Sequence, residues 1–222
     1  MRGRFITFEG GEGAGKSTQA GRLADRLRQL AIPVLVTREP GGSAGADIMR
    51  HVLLSGAAKP LGPLVEAILF AAARDDHVNA TIRPGLEEGR WVICDRFIDS
   101  TRVYQGVLGS VDPKLIRALE RLTTADTMPD LTLILDLPPK VGLARAAQRR
   151  GRAPADRFET ETLEFHTILR QAYLEIAKAE PGRCVLIDAD RPVDWIADDI
   201  WAAVNTRLDP ASAPMSFEDI DA

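Results

Sequence analysis

The stretch that decides the fold is Gly10-Gly11-Glu12-Gly13-Ala14-Gly15-Lys16-Ser17, which fits the phosphate-loop pattern G-x-x-x-x-G-K-[ST]. Residues 4–8 before it resemble a short strand, and apolar side chains follow it at helical spacing. Glycines let a backbone wrap an anion with its N–H groups, and a helix start adds partial positive charge. The sequence therefore predicts a site for the phosphates of a nucleotide.

Two side chains of this loop have predicted chemical roles. Lys16 can reach the β- and γ-phosphates, and the Ser17 hydroxyl can ligate magnesium. The alternative is a glycine-rich turn without a ligand, which the strand–loop–helix context disfavours. The predicted nucleotide-binding residues are Gly10, Gly11, Glu12, Gly13, Ala14, Gly15, Lys16, Ser17 and Thr18.

The length of 222 residues predicts a single α/β domain, which we assign to residues 1–208. Residues 209–222 contain four acidic residues and no basic one, so we expect a loosely ordered tail. The net charge of -4 argues against a general nucleic-acid binder. Cys94 and Cys184 lie in apolar runs and are predicted to be buried thiols. With no signal peptide or membrane-length apolar run in the sequence, we expect a cytoplasmic protein that binds no membrane.

Five β-rich runs, 4–8, 33–37, 91–94, 131–136 and 184–188, alternate with helical patterns. This alternation predicts a parallel sheet covered by helices on both faces. Ligands of such sheets gather at the carboxyl ends of the strands. The ends here are polar or glycine-rich, which fits that location.

The third strand ends in Asp95 and Arg96. A carboxylate beside a phosphate loop can hold magnesium, directly or through water, whereas the alternative for Asp95 is a helix N-cap. Arg96 is either the ion-pair partner of Asp95 or, as we favour, a phosphate-binding arginine, because its planar fork suits a phosphate.

Arginines also gather between residues 145 and 157, interleaved with Gly151 and Pro154, which break helices. We predict a lid over residues 145–157 that brings positive charge to a transferring phosphoryl group. The alternative is a solvated basic face. The candidate side chains are Arg149, Arg150, Arg152 and Arg157, with Arg145 the one most typical of a plain surface.

Two further segments are candidates for a second ligand. Arg38 follows the second strand in Arg38-Glu39-Pro40-Gly41-Gly42, where the alternative is an ion pair with Glu39. Phe70 and Arg74 are four residues apart in a helix that follows Pro63, so they share a face. Phe70 is equally compatible with the core and with a pocket wall that stacks on a base.

Together these motifs resemble the thymidylate kinase family. Residues 95–106 resemble its signature, residues 38–42 its R-E-P-G-G motif, residues 135–139 its fourth-strand ending and residues 156–159 its D-R-x-E lid motif. The resemblance spans roughly residues 3–208. It implies a phosphate-loop kinase fold with five parallel strands in the order 2-3-1-4-5, magnesium dependence, a homodimer, and phosphorylation of dTMP by ATP.

The resemblance also implies residue roles. Arg38 and Arg96 would hold the dTMP phosphate, Phe70 would stack on thymine, and Arg74 would donate to a thymine carbonyl. Thr101 and Gln105 would border the base, and Tyr104 would pack against the deoxyribose. Glu9 would lie near magnesium and the sugar. The implied catalytic residues are Lys16, Arg96, Arg149, Arg152 and Glu9, and the implied magnesium residues are Ser17 and Asp95.

Two alternatives for the function come from other patterns. One is a kinase for another nucleoside monophosphate or for a deoxynucleoside, which Phe70, Arg74 and the Tyr104-Gln105 pair disfavour. The other is a phosphate-loop GTPase switch, but the chain lacks the Asn-Lys-x-Asp motif that reads guanine.

Overall fold

The fold is built on a five-stranded parallel sheet with the strand order β2-β3-β1-β4-β5. The computed structural model describes residues 2–151 and 158–210. The predicted order and all five predicted strands are confirmed. The strands are β1 (Phe5–Gly10), β2 (Val34–Arg38), β3 (Trp91–Asp95), β4 (Leu131–Asp136) and β5 (Cys184–Asp188).

Helices cover both faces of the sheet, which is why its strands are almost uniformly apolar. The α-helices are α1 (Lys16–Gln29), α2 (Ala44–Leu54), α3 (Gly62–His77), α4 (Arg83–Glu87), α5 (Ile98–Thr101), α6 (Pro113–Thr124), α7 (Pro139–Arg150), α8 (Leu163–Ala179) and α9 (Val193–Leu208). A 3₁₀ turn covers Lys59–Leu61, and π-helical segments cover Val78–Ile82 and Arg102–Leu108.

Strand alternation divides the core into two main layers. Ile6 and Phe8 point to the layer formed with α1 and α9, whereas Phe5 points to the layer beneath α4 and Val78–Ile82. Buried Thr7 also points away from α1 and meets Thr132 of β4, with their Oγ1 atoms 2.7 Å apart. Both cysteines are buried free thiols, as predicted.

Local sequence accounts for several helix starts. Asp112 caps α6 by accepting a hydrogen bond from the Lys114 N–H, and Thr162 caps α8 by accepting one from Phe165 N–H. Among the described residues, no single helix is long and apolar enough to cross a membrane. One bent pair of helical stretches, 44–54 with 59–87, meets a combined test of length and composition alone.

The predicted lid differs from the structure at its first residues. Helix α7 continues through Arg150 to Gly151, whose φ is +60°. Arg149 and Arg150 therefore lie in the helix rather than in the predicted loop, as does Arg145, whose sequence pattern is helical. The predicted helix break occurs only at Gly151, where α7 ends. Residues 152–157, with Arg152 and Arg157, and residues 211–222 of the tail lie outside the described residues.

A glycine pair joins the phosphate loop to α7. Gly13 has φ of +69°, and a Cβ atom on it would lie 2.0 Å from the carbonyl oxygen of Gly142. A Cβ atom on Gly142 would lie 2.3 Å from the carbonyl oxygen of Glu12. Both approaches are backbone against backbone, so only glycine permits the loop to rest directly on the helix.

We expect Gly142→Ala to lower the free energy of unfolding by about 1–3 kcal/mol, because the methyl group overpacks a rigid contact. The variant should also bind ATP more weakly, since the loop must move. Thermal unfolding and ATP titration measure both effects.

Gly21→Ala in α1 is the matched control, because a Cβ atom there meets nothing within 4 Å. Alanine in a helix interior is favoured over glycine by roughly 0.5–1 kcal/mol. If the two variants showed equal changes in the free energy of unfolding and in ATP affinity, the Gly13–Gly142 contact would not be tight.

Candidate active site

A cavity of about 450 Å³ lies at the carboxyl edge of the sheet. It is lined by the phosphate loop, by residues that follow β2 and β3, and by α3. It therefore brings together most residues predicted as sites. Those lining it are Glu12, Gly13, Gly15, Lys16, Ser17, Thr18, Arg38, Phe70, Arg74, Asp95, Arg96, Thr101, Tyr104, Gln105 and Arg149.

The phosphate loop presents backbone donors to this cavity. Gly15 is left-handed, with φ of +89°, and α1 starts at Lys16 without a side-chain cap, so its first N–H groups remain for a ligand. Lys16 Nζ donates to the carbonyl oxygens of Gly10 at 3.1 Å and Gly11 at 2.8 Å. Burial lowers the pKa of Lys16, and nearby Arg96 adds to the effect.

Three predicted loop residues lie outside the main cavity. Ala14 is buried in the core, and Gly10 and Gly11 line a smaller neighbouring cavity of about 20 Å³. The carbonyl oxygens of Gly10 and Gly11 hold Lys16, and nucleotide binding by these three residues stays a prediction.

The predicted magnesium residues lie together. Ser17 Oγ donates to Asp95 Oδ2 at 2.5 Å, and both side chains line the cavity. No cluster of three or more His, Cys, Asp or Glu side chains suited to a metal occurs among residues 2–151 and 158–210. One hydroxyl and one carboxylate fit magnesium rather than a metal that needs a full protein cage, because magnesium keeps waters and takes phosphate oxygens.

Arg96 pairs with Glu12 and not with its neighbour Asp95. Its Nη2 donates to Glu12 Oε1 at 2.6 Å. Burial opposes ionisation of Glu12, but the charges of Arg96 and Lys16 outweigh it and lower the pKa of Glu12 to about 2. Arg96 has φ of +71°, an unusual backbone conformation for a side chain that must be aimed at one place.

At the far end of the cavity, Arg74 is the most constrained side chain. It is 3 % exposed, its Nε donates to Glu39 Oε2 at 2.8 Å, and its Nη2 donates to Thr101 Oγ1 at 2.9 Å. Phe70, one turn earlier, is half-buried at the wall, so the two share the cavity face as the spacing predicted. Gln105 is buried beside them.

Tyr104 and Arg38 also line the cavity. The Tyr104 hydroxyl donates to Glu12 Oε1 at 3.2 Å, and its ring packs edge-on against Phe158, with centroids 4.9 Å apart. Burial raises the pKa of Tyr104. Arg38 is exposed and makes no ion pair with Glu39, which binds Arg74 instead.

Glu9 lies beneath the cavity rather than in its lining. It is completely buried, its Oε1 accepts from the backbone N–H groups of Phe97 and Ser100, and its Oε2 contacts the hydroxyls of Ser100 and Tyr173. Burial, with the charge of Asp99, raises the pKa of Glu9 to about 7. A proton can reside on Oε2, because both hydroxyls there can accept as well as donate.

The family model described as Thymidylate kinase matches residues 8–200. The chain belongs to the thymidylate kinase family.

The sequences of related proteins align with this chain over nearly its full length. A protein named Thymidylate kinase from Bradyrhizobium diazoefficiens is 62% identical over 212 residues, covering 96% of this chain and 93% of the relative. One of the same name from Nitrobacter winogradskyi is 59% identical, with the same coverage. A crystal structure of thymidylate kinase from Ehrlichia chaffeensis superposes with a TM-score of 0.74 at 33% identity, covering 92% of this chain and 99% of that one.

Several site residues of this thymidylate kinase family member escaped sequence reasoning. The sequence predicted Glu39 only as a possible ion-pair partner of Arg38. It predicted no role for His77, Ser100 or Tyr173. Glu39 follows β2 at the ligand edge, a position that could have drawn attention to it. The partners on α3 and α8 are distant in sequence, and no local pattern marks them.

Asp99 is a further residue whose role was not predicted. It is fully buried, and both of its oxygens accept from Arg183, at 2.8 and 2.9 Å. Arg102 lies 3.2 Å from the same carboxylate. This network anchors α5 to the start of β5.

The pKa of Glu9 yields a stability prediction with a defined sign. Between pH 4.5 and about 7 the folded protein holds a proton on Glu9 that the unfolded chain releases. The Glu9 contribution to the free energy of unfolding therefore falls as pH rises through this window. Wild type should lose stability relative to Glu9→Gln, which cannot titrate, between pH 5 and pH 7.5. Denaturant unfolding at both pH values measures the difference, and parallel pH profiles would contradict it.

Proposed function

We propose how this chain carries out the reaction of its family, the transfer of the γ-phosphoryl group of ATP to dTMP, giving dTDP and ADP. The observation that carries the proposal is that one cavity joins a phosphate loop to an arginine-lined and aromatic-walled end. Two anionic ligands placed there would meet with their phosphates between Lys16 and Arg96. In phosphoryl transfer, positioning and charge stabilisation supply almost all of the catalysis, and the protein contributes little covalent chemistry.

On the ATP side, the loop N–H groups bind the phosphates, and Lys16 neutralises the charge that develops on them. Its present acceptors are carbonyl oxygens, which a phosphate oxygen outcompetes because of its charge. Ser17 and Asp95 would hold magnesium, whose chemistry is to neutralise and orient phosphate oxygens.

On the dTMP side, Arg38 and Arg96 bind the phosphate, and Phe70 stacks on the base. Arg74 donates to a thymine carbonyl, and Thr101 and Gln105 border the base. Tyr104 packs against the sugar, where its bulk would exclude a 2′-hydroxyl. These assignments are supported by the fact that all of these residues line the same cavity.

Glu9 supports the reaction from below. Since it accepts hydrogen bonds from Phe97 and Ser100, it holds the backbone that follows Arg96. We assign it as a positioning residue beneath the magnesium and sugar sites, without direct contact to either ligand.

Assembly and location are also proposals. Exposed apolar side chains on adjacent helices support a homodimer, because α2 packs on α3 and α3 on α6. These side chains are Ile48, Val52, Leu64, Ile68 and Leu122. Sedimentation of the purified chain tests the assembly. We propose a cytoplasmic enzyme whose ligands are ATP and dTMP, with no nucleic-acid or membrane partner, with residues 1–208 as the kinase domain and 209–222 as an accessory tail.

A coupled ADP-release assay tests the reaction. Wild type should turn over with dTMP far faster than with dUMP or dCMP, and not with ATP alone. Lys16→Ala should lower kcat by about 10²–10³, because an electrostatic contact to the transferring group is lost. Its thermal unfolding should match wild type. Near-normal kcat in Lys16→Ala would remove this loop from the catalytic ATP site.

Two arginines on α7 form a matched pair that tests the lid. Arg149 lines the cavity and is 66% exposed, whereas Arg145 donates to the Ala189 carbonyl oxygen and lies 3.5 Å from Asp190. Arg149→Ala should lower kcat by about 10-fold or more with little change in KM for dTMP, since a charge near the transferring group is lost. Arg145→Ala should leave kcat unchanged. Equal kcat values would remove Arg149 from the transfer step and leave Arg150, Arg152 and Arg157 as the candidates.

A further inference from the structure

A chain of buried polar side chains, formed by Glu39, His77 and Thr37, extends from Arg74. Glu39 Oε2 accepts from Arg74 Nε at 2.8 Å, and Glu39 Oε1 lies 3.2 Å from His77 Nδ1. His77 Nε2 in turn lies 2.7 Å from Thr37 Oγ1. His77 is completely buried and Glu39 is 6% exposed, so water does not compete for these bonds.

These contacts leave Arg74 one orientation. Its Nη2 donates to Thr101 Oγ1 and to the Phe97 carbonyl oxygen, and its guanidinium lies 5.2 Å from the centre of the Phe97 ring. Within residues 2–151 and 158–210, no hydrogen bond is made by its Nη1. Because Arg74 lines the cavity, Nη1 is the donor left for a ligand.

The backbone next to these polar side chains leaves room for them only because residue 42 is a glycine. A Cβ atom on Gly42 would lie 2.4 Å from His77 Nε2 and 2.3 Å from Thr37 Oγ1, and Gly42 has φ of +89°. The N–H of Glu39 donates to the Asp95 carbonyl oxygen at 2.9 Å, which ties the same segment to the end of β3. The segment 37–42 therefore approaches α3 as closely as the side-chain contacts require.

We propose that Glu39 and His77 are positioning residues for base selection: they hold Arg74 so that its free Nη1 meets a carbonyl acceptor and disfavours an amino group. This inference rests on the proposed function. These polar side chains connect the end of β2 to α3. Arg38, the predicted phosphate ligand, is adjacent to Glu39 in the sequence. One short segment thus sets both the phosphate and the base ends of the acceptor site.

The test compares kcat/KM for dTMP with that for dCMP, which carries an amino group where thymine has a carbonyl. Glu39→Gln should raise KM for dTMP by about 10-fold or more, the range expected when a hydrogen bond to a charged group is lost. The dTMP-to-dCMP ratio should fall by a similar factor, with KM for ATP unchanged.

A graded series separates positioning from plain stability. His77→Leu removes both bonds of the ring and should lower the dTMP-to-dCMP ratio. His77→Asn, whose amide N–H can replace Nδ1 toward Glu39, should restore most of it. Thr37→Val removes only the outermost hydroxyl and provides a milder variant if the others fold poorly.

Glu120→Gln is the matched control, since Glu120 is also 6% exposed and binds Arg102 through both oxygens. It should lower thermal stability without changing the dTMP-to-dCMP ratio. If Glu39→Gln and His77→Leu behave like this control, the chain is only structural and the inference is overturned. Wild type that fails to phosphorylate dTMP would instead overturn the proposed function.

Discussion

Positive charge buried at the carboxyl edge of the sheet is the constraint on which the site depends. A desolvated guanidinium is costly unless a carboxylate pairs with it, and two glutamates from separate loops meet that need. Glu12 pairs with Arg96, and Glu39 pairs with Arg74. Both arginines are thereby held in place before any ligand arrives, so a ligand does not have to order them.

The two pairs differ in what a ligand must displace. Glu12 binds Arg96 on the cavity side, next to Lys16, so an incoming phosphate meets a carboxylate already occupying part of its place. Glu39 also lines the cavity, but its bond to Nε of Arg74 leaves Nη1 of that arginine for a ligand. Under the proposed function, phosphate binding at Arg96 would therefore exchange one anion for another, whereas base binding at Arg74 would add a contact. Exchange lowers the net gain in affinity for a phosphate but selects for the more highly charged ligand.

Local sequence patterns were sufficient for the fold because each element carries its own signal. The apolar runs predicted five strands, and the Gly15-Lys16-Ser17 turn predicted the first helix start. The same patterns placed Phe70 and Arg74 on one face, because helical spacing alone determines that relation. They did not predict the pairing of Arg96 with Glu12, or the roles of Glu39 and His77. Those depend on contacts between segments tens of residues apart, and a charged residue in a loop has many neighbours of suitable charge. The lid boundary was missed for a related reason, since arginine is a good helix former and only Gly151 ends α7.

The contact between Gly13 and Gly142 makes α7 a lever with its pivot at the phosphate loop. Residue 149 lies seven positions beyond the pivot, roughly 10 Å along the helix axis at the usual rise per residue. A tilt of about 5° at the pivot would swing that end by about 1 Å, a displacement that can cost about 10²-fold in rate. The distance of closest approach between two backbones thus sets the position of a side chain about two helical turns away from the phosphate loop.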